Sequence, residues 1–233
     1  MALTMRTLGL LGGMSWESTL PYYRLINEGV RQRLGGLHSA RLLLYSLDFA
    51  EIEALQTAGD WDSAGARLAE AGAALQRAGA DGLVICTNTM HKVAPQVAAH
   101  VPLPLLHIAD ATAQAIRAAG LARVGLLGTC FTMEQDFYRG RLAAHGLDVR
   151  VPDAEGRSQV HRVIYEELCR GVVSESSRRD FRAVMAGLVD AGAEGIVLGC
   201  TEIGLLVGAA DTTVPVFDTT RLHAAAAVDW ALS

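Results

Sequence analysis

Two segments of this chain repeat one pattern: DGLVICTNTMH (81–91) and EGIVLGCTEIG (194–204). Each opens on an acid–Gly pair, runs through mostly apolar residues, reaches Cys–Thr and passes into a helix-like stretch. Short apolar runs without polar alternation read as strands buried on both faces, as in a parallel sheet covered by helices. The repeat extends further. LGLLGG (8–13) matches VGLLGT (124–129), and LPLLHIADAT (103–112) matches VPVFDTT (214–220). The anchors keep one order, 8 with 124, 86 with 200 and 104 with 215, at a slowly shrinking offset. The chain therefore reads as an internal duplication with small deletions, and its period is far too long for a solenoid array.

Strand-like segments lie at 6–12, 40–48, 81–86, 104–107, 122–128, 148–151, 194–199 and 214–217. Helix-like stretches lie near 16–34, 61–79, 89–100, 110–119, 131–145, 158–170 and 176–192. Ala-rich amphipathic windows such as DWDSAGARLAEAGAALQRAGA (60–80) carry the helical spacing. The expected fold class is α/β. Two similar small domains, related by pseudo-twofold symmetry, each hold a four-stranded, mainly parallel sheet flanked by helices. Residues 1–108 with 212–233 are expected to form the half carrying Cys86, the last segment crossing back to complete it. Residues 109–211 form the half carrying Cys200, with the active site in the cleft between the halves.

Composition removes several function classes. Apolar residues make up 51% of the 233 and charged residues 19%, which excludes a disordered chain. No apolar run reaches the length of a membrane span. A formal charge of −5 offers no bulk attraction for nucleic acid. The N-terminus, MALTMRTLGLLGGMSW, lacks the basic segment, long apolar region and cleavage site of a signal peptide, so a cytoplasmic location is expected. Cys86, Cys130, Cys169 and Cys200 show no C-x-x-C spacing and no paired histidines, so neither a disulfide scaffold nor a metal site is expected.

In parallel α/β sheets ligands bind at the C-terminal ends of strands, where Cys86 and Cys200 both fall by pattern. The helix expected near Thr89 would bring its positive end to Cys86 and lower that thiol's pKa. Glu202 would oppose thiolate formation at Cys200. The alternative for each cysteine is a small buried apolar residue.

GLLGGMSWEST (9–19), CTNTMH (86–91), LGTCFTMEQDFY (127–138) and GCTEIGLL (199–206) together resemble the aspartate/glutamate racemase family, within the aspartate/glutamate/hydantoin racemase superfamily. The resemblance covers essentially the whole chain. It implies a cofactor-independent amino-acid racemase of two α/β domains, a homodimer acting on a small amino-acid substrate. It further implies that one cysteine, as thiolate, abstracts the Cα proton while the other, as thiol, reprotonates the opposite face. Cys86 and Cys200 occupy both positions. Thr87, Asn88, Thr89 and Thr201 are candidates to hold the α-carboxylate. Gly12 and Gly13 permit close backbone approach, and Met14 and Ser15 are expected on a loop over the ligand. Thr129 and Thr132 are the matching polar loop residues of the second half, and Glu202 is a further candidate contact. Ordinary helix capping is the alternative for each Thr or Asn.

Aspartate-specific relatives place a basic residue from each half on the substrate side chain. The expected loop LDFAEIEALQ (47–56) offers acids and Gln56 but no cation. In IYEELCRG (164–171) the matching place is Cys169 or Arg170, so broad specificity fits as well as strict aspartate specificity, with Gln56 as a side-chain contact. His91 is expected at the surface or behind the site. His107 and Asp110 either line the crevice or cap a helix; Cys130 could approach the ligand, and Cys169 and the pair Met133 and Phe137 are expected to pack. Two other readings remain: a single-cysteine enzyme of the same fold, like a maleate isomerase or an arylmalonate decarboxylase, and a non-catalytic small-molecule binding protein.

Overall fold

The computed structural model describes residues 5–233, so the reading of the extreme N-terminus lies partly outside the described residues. Two compact units emerge among the described residues, 5–107 with 223–233 and 108–222. The first unit runs β1 (Leu8–Gly12), α1 (Trp16–Leu34), β2 (Leu42–Ser46), α2 (Phe49–Ala58), α3 (Trp61–Arg77), β3 (Gly82–Ile85), a 3-10 turn (Thr89–Val93), α4 (Ala94–His100) and β4 (Leu105–Leu106). The second runs α5 (Ile108–Ala118), β5 (Arg123–Gly128), α6 (Cys130–Glu134), α7 (Asp136–Ala144), β6 (Asp148–Arg150), α8 (Ala154–Glu166), a 3-10 turn (Leu168–Arg170), α9 (Glu175–Asp190), β7 (Gly195–Gly199), α10 (Ile203–Leu206) and β8 (Val216–Asp218). The last helix, α11 (Thr219–Leu232), begins in the second unit and ends in the first.

Each unit holds a four-stranded sheet, in the orders β2-β1-β3-β4 and β6-β5-β7-β8, with every pairing parallel. In both, the first strand of the unit sits beside the third, so chain connections leave in opposite directions at that junction. This is the switch point at which doubly wound sheets open a crevice beyond their strand ends. The expected return of residues 212–233 to the first half is corrected. Val216, Phe217 and Asp218 pair with Ile196, Val197 and Leu198, and Phe217 joins the apolar cluster of Val197 and Val124. The second sheet needs that strand as its fourth, and the chain returns only at His223.

Alternation along the strands divides each core by face. Leu8 and Leu10 of β1 and Val84 of β3 pack with Tyr22, Ile26 and Val30 of α1 and Ala227 and Val228 of α11. Leu11, Leu83 and Ile85 face the other way, onto Leu68, Ala71 and Leu75 of α3 and Val97 of α4. In the second unit Val124, Leu126 and Val197 pack on α5 and α7, while Leu127, Ile196 and Leu198 pack on Val160, Val163, Phe181 and Met185 of α8 and α9. Asp48, Asp60, Asp153 and Ser174 cap α2, α3, α8 and α9, each accepting a backbone N–H of the first turn. Residues 47–56, expected as a loop, are instead mostly α2, because Asp48 caps them and Ile52 supplies a buried face.

Gly13 has φ +86°, and a Cβ there would sit on the Leu47 carbonyl oxygen, since the chain leaving β2 passes directly over it. Leu47 donates its N–H to the Gly12 carbonyl at 3.0 Å, so that backbone cannot withdraw cheaply. Gly13→Ala is therefore expected to destabilise the protein by at least about 2 kcal/mol, combining left-handed strain with the clash. Urea denaturation followed by fluorescence measures the change; a loss below half that size would show that the segment yields.

Candidate active site

Cys86 follows β3 and Cys200 follows β7, each at the switch point of its own sheet. The two sheets pair these strands in one register, but the cysteines stand one residue apart relative to it. Leu8 pairs with Gly82 and Leu11 with Ile85, and Val124 pairs with Gly195 and Gly128 with Gly199. Counted from these pairs, the position of Cys86 in the first sheet is held by Gly199 in the second, and Cys200 matches Thr87. A one-residue step turns a side chain to the opposite face of a sheet. Cys86 accordingly joins the cluster of Leu8, Leu10, Val84 and Tyr22, on the α1 and α11 side, while Cys200 joins Leu198, Leu168 and Ile203 on the α8 and α9 side.

Cys86 is 1% exposed, and its thiol points to the Val84 carbonyl at 3.8 Å. Burial pushes its pKa well up. The lowering expected from a following helix is corrected: the segment after Cys86 is a 3-10 turn beginning at Thr89, and desolvation by the apolar cluster is the dominant effect. Cys200 is 8% exposed, and its thiol donates to Glu202 Oε2 at 2.9 Å. The Thr201 hydroxyl donates to the same oxygen at 2.8 Å. Burial first, then the negative charge of Glu202, holds the Cys200 pKa well above its ordinary value. The expected opposition of Glu202 is thus a direct contact, and both thiols are protonated at neutral pH.

The other candidates separate into those near the cysteines and those engaged elsewhere. Thr87, Asn88 and Thr89 are buried immediately after Cys86. Ser18 Oγ donates to the Ser15 carbonyl at 2.9 Å and lies 3.5 Å from the Cys86 carbonyl, joining the Ser15 turn to the cysteine. Met14 is buried in the cluster of Leu11, Ile52 and Met90. Gln56, on α2, is buried and donates from Nε2 to Met90 Sδ at 3.0 Å. Thr129 caps α6, accepting from the Thr132 N–H at 3.3 Å, with the two hydroxyls 3.2 Å apart. Cys130 is turned to α8: its N–H donates to His161 Nδ1 at 3.1 Å and its thiol points to the Arg157 carbonyl. Cys169 packs against the cluster containing Cys200, whereas Arg170 is exposed. Asp110 is bound by Arg141 through both carboxylate oxygens, at 2.6 and 2.7 Å, and by His145 at 3.1 Å, so it ties α5 to α7. Met133 is buried in the α8 and α9 core and Phe137 packs beside Tyr138.

His91, expected at the surface or behind the site, is 1% exposed, and with His107 and His223 it forms a buried group next to the Cys86 loop. Sequence reasoning passed over His223. The available signal was its place three residues beyond the TT of VPVFDTT, the counterpart of the LPLLHIADAT segment that contains His107; the chain's return was needed to bring it there.

The arrangement offers two buried thiols, one beside hydroxyl- and amide-bearing residues and one hydrogen-bonded to a carboxylate. Such groups can give and take protons once a bound charge lowers the cost of a thiolate.

The profile of the Asp/Glu/hydantoin racemase family matches residues 11–227. Among solved structures, one from Yersinia pestis, described provisionally as an Asp/Glu racemase, is 58% identical and superposes with a TM-score of 0.92, covering 98% of this chain and all of that one. An aspartate racemase homologue from Pyrococcus horikoshii OT3 is 35% identical, with a TM-score of 0.85 over 98% of this chain and all of its own. The aspartate racemase of Picrophilus torridus, at 21% identity, shares the fold, with a TM-score of 0.77 over 97% of this chain and 94% of that one. The chain belongs to the Asp/Glu/hydantoin racemase family.

Proposed function

We propose that this protein racemises amino acids without pyridoxal phosphate, using Cys86 and Cys200 as the two proton-transfer groups. The observation that carries the reading is the placement of one cysteine at the switch point of each sheet, in a chain of a racemase family. One cysteine, as thiolate, takes the Cα proton and becomes a thiol. The other, as thiol, returns a proton to the opposite face and becomes the thiolate, and the roles exchange for the other enantiomer. Both thiols rest protonated, so one must give up its proton on substrate binding, Cys200 to the Glu202 carboxylate or Cys86 to water entering with the substrate; the substrate's α-ammonium brings a cation that favours this. The hydroxyls and N–H groups of Thr87, Asn88, Thr89 and Thr201 are the donors proposed for the α-carboxylate, whose fixed charge steadies the developing carbanion.

The proposed substrate range is broad rather than strictly acidic. Arg170 is exposed, Gln56 is neutral, and a buried carboxylate, Glu202, stands beside Cys200. The test is exchange of the Cα hydrogen in heavy water, read by proton NMR over a panel of D- and L-amino acids with no added pyridoxal phosphate. Loss of the Cα signal for several neutral or polar amino acids is expected. Its absence for every amino acid would remove the racemase reading, and exchange into aspartate alone would remove the broad range.

Glu202 has a defined place in this scheme as acceptor of the Cys200 proton. Glu202→Gln keeps the size but removes that acceptor, and is expected to lower kcat/KM by about tenfold or more. The fall must be equal for the two enantiomers, because the equilibrium constant of racemisation is one. Polarimetric initial rates from each enantiomer check this, and an unchanged rate would show that the Cys200 proton leaves by another route.

A further inference from the structure

Next to the loop that carries Cys86, within the first unit, four buried side chains meet: Tyr22, His91, His107 and His223. The rings of His91 and His107 lie 4.5 Å apart between centroids, those of His91 and His223 5.6 Å, and Tyr22 stands edge-on to His223 at 5.6 Å. Their hydrogen bonds fix where protons sit. The Thr87 carbonyl, 2.7 Å from His91 Nδ1, can only accept, so the bond forms when that nitrogen carries the proton; the Leu106 carbonyl also faces this ring. The Leu106 carbonyl, 2.9 Å from His223 Nε2, likewise puts the proton there. His223 Nδ1 is then a lone pair, and accepts from the Tyr22 hydroxyl at 2.8 Å. Burial first, and for His91 the neighbouring imidazoles as well, hold both rings neutral at neutral pH.

Three successive backbone groups around the cysteine are thereby placed. Cys86 donates its N–H to Leu11 of the sheet at 2.9 Å, its carbonyl lies 3.5 Å from Ser18 Oγ, and the next carbonyl, that of Thr87, accepts from His91. The sheet bond holds only the N–H side of Cys86, and the bonds from Ser18 and His91 hold the two carbonyls that follow. Misplacement of a reacting group by about 1 Å costs up to about a hundredfold in rate.

We propose that His91, backed by His107, His223 and Tyr22, is a positioning residue that fixes the Cys86–Thr87 turn and so the direction of the Cys86 thiol. Its value to catalysis rests on the racemase reading above; its hold on the turn does not.

Two amide substitutions separate donor position from polarity. In His91→Asn the amide N–H falls near the original Nδ1 and can still reach the Thr87 carbonyl, whereas in His91→Gln it falls near Nε2. Each thiol is followed separately, by iodoacetamide labelling of the native protein and peptide mass spectrometry, with Cys200 in the other unit as internal control. His91→Gln is expected to speed labelling of Cys86 several-fold relative to Cys200, and to lower kcat by about tenfold or more with little change in KM. His91→Asn is expected to recover most of both. Equal behaviour of Asn and Gln at Cys86, or a parallel rise at both cysteines, would overturn the proposal. Should the wild-type protein exchange no Cα hydrogen, the racemase reading fails, and the labelling contrast still decides the role of His91.

Discussion

Cys86→Ser and Cys200→Ser are each expected to lower kcat/KM for racemisation by about 10²–10⁴-fold, the range for removal of a group that transfers a proton in the transition state. Serine keeps the shape but holds its proton far more tightly, so neither variant can move a proton on both faces of the same carbon. Loss of inversion need not mean loss of exchange. The remaining thiol can still remove the Cα proton of the one enantiomer it faces, trade it with heavy water and return deuterium to the same face. Each variant should therefore exchange one enantiomer without inverting it, and the two variants should prefer opposite enantiomers. Proton NMR for exchange and chiral chromatography for inversion read the two events independently. A fully active Cys86→Ser or Cys200→Ser protein would transfer the assignment to a single-cysteine reaction. The Cys200–Glu202 contact makes Cys200 the residue that such a reaction would keep.

Acid is expected to weaken the first unit over a definite range. Burial depresses the pKa of His223 from 6.5 to about 4, and lowers that of His91 well below 6.5. Between about 4 and 6.5 the unfolded chain binds a proton on His223 that the folded unit refuses, so stability falls as pH falls. The contribution is fully present above 6.5, fades by about 1.4 kcal/mol per pH unit, and is gone near 4. That amounts to roughly 3 kcal/mol for His223, with His91 adding in the same direction. His223→Gln can keep a donor to the Leu106 carbonyl but does not titrate, so its stability should vary less with pH by about the same amount. All three tryptophans, Trp16, Trp61 and Trp230, belong to the first unit, so urea unfolding followed by tryptophan fluorescence at pH 7, 6, 5 and 4.5 reads it directly. Parallel pH curves for wild type and His223→Gln would show that the imidazole charges without unfolding the cluster.

Much of the architecture was legible because the apolar runs are short, unalternating and bounded by glycine. Leu8–Gly12, Gly82–Ile85 and Gly195–Gly199 cannot be amphipathic surface elements, and each is a buried strand with parallel neighbours. The repeat also foretold two similar halves of four strands each, and both sheets take the same order. Three things were hidden. The helix at Phe49–Ala58 has a short and weakly amphipathic pattern, and depends on the Asp48 cap and on burial of Ile52. The strand at Val216–Asp218 reads equally well as the end of either unit, and only pairing with β7 decides. The histidine group needs residues from α1, the Cys86 loop, the end of β4 and α11, a meeting that no local window contains. That both cysteines lie just beyond a strand end was readable, but the charge state of Cys86 was not: a capping sequence advertises a helix end, while the apolar wall that outweighs it is assembled from Leu8, Leu10, Val84 and Tyr22.

A faithful duplication yields two copies with like surroundings, and this chain departs from that at its two buried sulfurs. Here a single additional glycine, Gly199, separates the apolar run from its sulfur in the later copy alone. That small imperfection sends one sulfur into a greasy wall and its sibling to a carboxylate, so the ancestral repeat has become a pair of unlike hands. Deleting Gly199, so that both copies share one spacing, is expected to turn the second sulfur to the face that Cys86 takes in its own sheet and to break its contact with Glu202.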